Sequence, residues 1–305
     1  MRKLIFGGAD GLGIAHLRNM ANVADPSVLQ QDGAYWMVLG ALDPAAHVID
    51  LYGARATHPT DDWRIVTEAD DPTLARRIVA RPEPGGWDAT GYHCPTHAAG
   101  LDADGQPVNR IYYASSATWS LYGPYRIGFL QWDGQTWRRH PEPVFTATRP
   151  WELGTVLEPH VRYADGRWLM HYTAGIGEGS PRSSSALVAS ANGVTGWRPI
   201  GTPEADRFDT FALPGLEIVA RHPLDGAFTE DDGLWLTHRQ SSQQILRTVD
   251  GAGWHALGAW KPTALVAGDD LVVFCTVLGQ PSTGPVPLFG IGCVRVPLTG
   301  LARPR

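Results

Sequence analysis

A chain of 305 residues is long enough for two ordinary domains, yet no linker or composition break divides it, and its 35 Gly and 24 Pro are the punctuation of a fold built from many short strands. The formal net charge is −6 and the lysines and arginines are scattered, which excludes a nucleic-acid partner recruited by a basic stripe. Apolar runs are strand-sized, so no membrane partner is expected.

At the N-terminus, Met1 to Gly7 contains a three-residue apolar core, too short for a secretion signal, and a cytoplasmic location is expected. Three cysteines, Cys94, Cys275 and Cys293, fit reduced thiols. The stretch Gly7 to Gly13 imitates a dinucleotide loop, but that fingerprint needs a glycine where His16 stands, and no βαβ pattern follows.

From Asp25 onward one phrase recurs: a short polar residue, usually proline next, an apolar stretch, an acidic or glycine turn, then an apolar-aromatic strand. Its copies begin at Asp25-Pro26-Ser27, Cys94-Pro95-Thr96, Glu158-Pro159-His160, Glu217-Ile218-Val219 and Lys261-Pro262-Thr263. The fourth lacks the proline. A second phrase, a polar turn and then tryptophan, follows the first four copies at Trp63, Trp137, Trp197 and Trp254, which are expected to pack between repeats. Asp-Gly and Asn-Gly turns between β-branched or aromatic runs mark hairpins. Helical periodicity is nearly absent, the best candidate being Asp71 to Arg77. Five repeats of about four strands predict an all-β, five-bladed β-propeller spanning residues 1–305, closed by pairing of Lys3 to Phe6 with Ile291 to Val296.

The pairing of Asp25-Pro26-Ser27-Val28 with Asp32-Gly33-Ala34-Tyr35-Trp36, and of Glu158-Pro159-His160-Val161 with Asp165-Gly166-Arg167-Trp168-Leu169, resembles the five-bladed propeller glycoside hydrolases, the family 43 arabinanases and xylosidases and related fructan-cleaving enzymes. The resemblance implies three carboxylates in a central funnel, acting on a small carbohydrate or glycoside without a cofactor. Carried over, they fall on Asp25 as base or nucleophile, Glu158 as the group that tunes the acid, and Glu217 as the general acid. It also implies inversion. Glu158 stands where the family has Asp, and Glu217 lacks the family's Glu-Gly-Pro setting.

The chemistry accounts for such a set without the family. Glycosidic cleavage needs one carboxyl kept protonated and another kept ionised, and acids converging on one axis push their pKa values apart. Sugar-contacting candidates are Trp87, Asp88, His93 and His97 around the second copy, Trp151 before the third, and His160 and Lys261 within the third and fifth. His93, Cys94 and His97 carry metal-ligand chemistry, but strand alternation puts His93 and Cys94 on opposite faces, so no metal is expected. Alternatives to a glycosidase are a sugar- or metabolite-binding propeller without turnover, and a propeller recruited to non-glycosidic small-molecule chemistry.

Overall fold

The structure, a computed structural model, describes residues 1–299 apart from 9, 121, 181, 225–226, 239–240, 249–252 and 280–287. Asp250, Gly251 and Ala252 of the turn before Trp254 lie outside the described residues. Twenty strands form five four-stranded antiparallel sheets.

Blade I holds β2 (Ala21–Gln31), β3 (Ala34–Asp43), β4 (Val48–Ala56) and β5 (Arg64–Ile65). Blade II holds β6 (His93–Leu101), β7 (Pro107–Ser115), β8 (Arg126–Trp132) and β9 (Trp137–Arg139). In blade III come β10 (Val156–Ala164), β11 (Arg167–Ala174), β12 (Ser184–Ser190) and β13 (Arg198–Ala205), and in blade IV β14 (Asp209–Leu213), β15 (Leu216–Arg221), β16 (Gly233–His238) and β17 (Ser241–Arg247). Blade V joins β18 (Ala259–Ala267), β19 (Asp270–Gly279) and β20 (Leu288–Pro297) to the N-terminal β1 (Arg2–Gly7), which pairs antiparallel with β20 as expected.

The first strands of the blades, β2, β6, β10, β14 and β18, touch in succession around a central axis. The hairpins form where the sequence demands: Asp32 and Gly33 have φ of 51° and 73°, and Asp165 and Gly166 51° and 74°. Two successive positive φ values match the twist of the flanking strands, and Asp-Gly reaches them at little steric cost. Segment 71–77 is not helical; Asp71 accepts hydrogen bonds from Thr73, while Ala75 forms an isolated bridge to Thr67, just beyond β5, and Arg77 one to Tyr52 of β4. With β-bridging partners on either side, two turns of weak helical pattern do not persist.

Core side chains lie between neighbouring blades. Trp63 meets Phe274 of blade V edge-on at 5.7 Å, and Trp197 meets Tyr112 of blade II at 6.4 Å. Trp137 packs against the buried cluster that joins Leu51 of blade I to Ile111, Tyr113 and Leu130 of blade II. Trp254 lies so close to Gly292 that a β-carbon there would come within 2.3 Å of the indole, so only glycine permits this contact.

Candidate active site

Four inner strands share one local device. Asp25, Cys94, Glu158 and Lys261 have φ of 58°, 53°, 51° and 50°, each is followed by proline, and each lies at a register shift in its strand's pairing. A bulge of this kind re-aims a side chain. Left-handed backbone at a non-glycine residue costs on the order of 1–3 kcal/mol and persists where the surroundings enforce it. Here four such residues ring the axis.

Blade IV corrects the sequence-based phasing. Its inner strand is β14, and Glu217 lies one strand outward on β15, opposite Thr237 and partly exposed, bonded to Arg207 at 2.7 Å. The acid at the inner position is Asp209, which heads Asp209-Thr210-Phe211 where the other blades have Asp25-Pro26-Ser27 or Glu158-Pro159-His160. Threonine replaces the proline, β14 pairs with β15 without a register shift, and Asp209 is not left-handed.

The inner strands separate two cavities. One, of ≈ 460 Å³, has Asp25, Cys94 and Glu158 on its floor, with His93 and Trp260 beside them. The other, of ≈ 310 Å³, begins two residues further along the same strands and is bordered by Ser27, Thr96, His160, Phe211 and Thr263. Buried Lys261 fills the partition, donating to the Pro159 carbonyl at 2.7 Å and to Thr96 Oγ1 at 3.3 Å.

On the floor, Asp25 Oδ2 accepts from the Cys94 backbone N–H at 3.0 Å and Oδ1 from the Thr276 hydroxyl at 3.0 Å. Burial raises its pKa, opposed by Lys261 and by these bonds. Glu158 Oε2 has no hydrogen-bond partner among the described residues. Burial first, then the charges of Asp25 and Asp209, hold its carboxyl well above the usual range. Oxygens of Asp25 and Glu158 and the Cys94 sulfur lie within 4.8 Å of one another. This trio does not suit a metal: burial keeps the thiol protonated, and the Lys261 ammonium stands 4.0 Å from Glu158 Oε2. Asp209 Oδ1 lies 2.9 Å from His160 Nε2, whose pKa burial lowers.

The remaining sequence candidates divide. His93 lines the floor cavity, and burial pushes its pKa down to about 4, so it is neutral near pH 7. His97 and His160 line the opposite cavity, and His97 meets Trp137 edge-on. His93 and His97 thus face different cavities. Trp87 and Asp88 line neither. Trp87 stacks on Tyr113 at 5.8 Å and donates to the Pro141 carbonyl, while fully buried Asp88 takes Arg139 and the Tyr113 hydroxyl. Trp151 packs at 6.1 Å from Tyr172, away from both cavities. The aromatic side chains lining the floor cavity are instead Trp119, Tyr122 and Tyr125, which follow β7, together with Phe208, Trp260 and Phe289. Their signal in the sequence was the aromatic spacing of Trp119, Tyr122 and Tyr125 in a loop rather than a strand.

No protein-family model matches the sequence, and no curated protein matches it. Among solved structures the fold is shared over nearly the whole chain. A family 117 glycoside hydrolase of the marine bacterium Zobellia galactanivorans aligns with a TM-score of 0.70 at 13% identity, over 100% of this chain and 92% of that one. The GH43_1 enzyme from Xanthomonas citri complexed with xylotriose gives 0.57 at 14%, over 92% and 88%. An α-L-arabinofuranosidase from Lactobacillus brevis gives 0.56 at 14%, over 93% of both chains. At these identities the likeness is one of fold: this chain is a five-bladed propeller of the architecture that glycoside hydrolases use.

Proposed function

We propose that the protein is a glycoside hydrolase-like enzyme that cleaves a glycosidic bond on the floor formed by Asp25 and Glu158. The observation that carries this reading is the contrast between two buried carboxyls in one cavity. Burial raises both, but Asp25 accepts hydrogen bonds on both oxygens, which favours its ionised form, while Glu158 has an oxygen without a partner and is held well above the usual range, which favours the proton. Glu158 therefore takes the general-acid role that the sequence resemblance gave to Glu217. Asp209 takes the place of the third acid, its charge helping to keep Glu158 protonated.

One oxygen of Asp25 lies within 4.8 Å of one of Glu158, close enough for the roughly 5–5.5 Å carboxyl separation of retaining enzymes. The proposed course is double displacement, in place of the inversion implied by the resemblance. An Asp25 oxygen attacks the anomeric carbon as the bond to the leaving oxygen breaks, and Glu158 gives that oxygen its proton. Glu158 then takes a proton from water, whose oxygen displaces Asp25.

The test is leaving-group dependence. In Glu158→Gln, turnover of a glycoside with a poor alcohol leaving group falls by about a hundredfold or more, while a 4-nitrophenyl glycoside, which needs no protonation, is largely spared in its first step. Equal losses on both assign Glu158 a positioning role. A wild type that binds sugars and turns over neither substrate is a binding propeller.

A further inference from the structure

The cavity above Asp25 and Glu158 is walled unlike a site for a multiply hydroxylated ligand. Leu42 and Ile49 of blade I, Leu157 and Ile176 of blade III, and Leu278 and Phe289 of blade V supply apolar surface from three sides. Phe208, Pro223 and Leu224 close the fourth.

Most of the few polar groups of the wall are already engaged. His93 Nε2 pairs with Thr90 Oγ1 at 3.1 Å, and the Tyr125 hydroxyl donates to the Ser120 carbonyl at 3.1 Å. Asn22 Oδ1 accepts from the Phe289 backbone N–H, and Trp119 Nε1 donates to the His47 carbonyl at 2.9 Å. A sugar ring buried against these walls leaves most of its hydroxyls without partners, and each buried unpaired hydroxyl costs on the order of 1–3 kcal/mol. Among the described residues around the cavity, the buried polar atoms without a partner are Glu158 Oε2 on the floor and a single ring nitrogen of the wall, His222 Nδ1.

At the rim, Trp119 is 52% exposed and Tyr122 40% exposed, although both are large aromatic side chains. The bond to His47 fixes the Trp119 ring while about half of its surface stays exposed. Fixed, exposed aromatic surface over an apolar shaft fits a flat apolar body.

We propose that the cavity takes a ligand with a flat, apolar, aromatic body, and that a single polar unit of it reaches the floor. On the function proposed above, from which only the identity of the floor reaction is borrowed, the substrate class is an aryl glycoside or a similar conjugate of one sugar with an aromatic alcohol. A linear oligosaccharide does not fit this wall. A volume of ≈ 460 Å³ accommodates one such conjugate, within the ~300–1,000 Å³ of small-molecule sites.

Calorimetry with 2-naphthol, which has no glycosidic bond, tests the inference independently of turnover. Saturable binding is expected, weakened about tenfold in Trp119→Ala and weakened further in Trp119→Ala/Tyr122→Ala, with thermal melts confirming that both variants are folded. Xylotriose is expected to bind more weakly than 2-naphthol. Tighter binding of xylotriose, or 2-naphthol binding that neither variant changes, overturns the inference. Naphthol binding by a protein that cleaves no glycoside upholds it and sinks the glycosidase reading. Cleavage of glycosides with a preference for oligosaccharides does the reverse.

Discussion

The Lys261 ammonium stands 4.0 Å from Glu158 Oε2 but gives its shortest bond, 2.7 Å, to the Pro159 carbonyl. Its other neighbours, Thr96 Oγ1 and His160 Nε2, lie at 3.3 and 3.4 Å. Glu158 therefore feels a buried positive charge without receiving a proton from it, and the pKa stays raised because burial outweighs the attraction.

Lys261→Met isolates this charge. The ammonium lowers the pKa of both Asp25 and Glu158, so its removal moves both limbs of the pH profile of kcat/KM to higher pH. A profile with unmoved limbs would show that neither acid titrates in the reaction.

Glu158 also links pH to stability. Its folded pKa lies above the ordinary value of 4.5, so above that pH the folded chain holds a proton that the unfolded chain has released. Stability from this group is present below the unfolded value and is lost as pH rises toward the folded one. Glu158→Gln removes that loss, at about 1.4 kcal/mol per unit of pKa difference. Thermal melts at pH 3.5 and pH 8 should show the variant gaining roughly 2–4 °C at pH 8 for each kcal/mol, and nothing at pH 3.5. A variant that melts lower at pH 8 contradicts the raised pKa.

Glu217→Gln is expected to be nearly silent. The side chain pairs with Arg207 on a partly exposed face, and Arg207 keeps its second partner, Glu204. Stability changes by less than about 1 kcal/mol and turnover stays within about twofold on good and poor leaving groups alike. A selective loss on poor leaving groups would return the acid role to Glu217.

The blade count, the hairpins and the closing strand were legible because they rest on local chemistry: Asp32-Gly33 and Asp165-Gly166 can form few other turns. Asp25 and Glu158 were legible because a polar residue before proline marks the bulge that aims it inward. Asp209 escaped for the same reason. With Thr210 in place of proline and Pro214-Gly215 in place of an Asp-Gly turn, blade IV offers its clearest repeat one strand late, at Glu217. Trp87, Asp88 and Trp151 were misplaced by proximity in sequence. Asp88 meets Arg139 only because β9 lies beside it in the folded blade, a pairing no local pattern announces.

The ring is fastened where β1 lies along β20, and Asp25 sits beside that joint. Its backbone N–H donates to Thr276 Oγ1 at 2.7 Å and its carboxylate accepts from the same hydroxyl, which blade V supplies. Subglobal opening between blade V and blade I loosens Asp25 from Thr276 while blades II to IV stay packed. If release of β1 is coupled to that opening, amide exchange along β1 and loosening of Asp25 from Thr276 rise together on heating, before the bulk of the sheet melts. A ligand seated against Asp25 acts in the opposite direction, as a rivet across the seam.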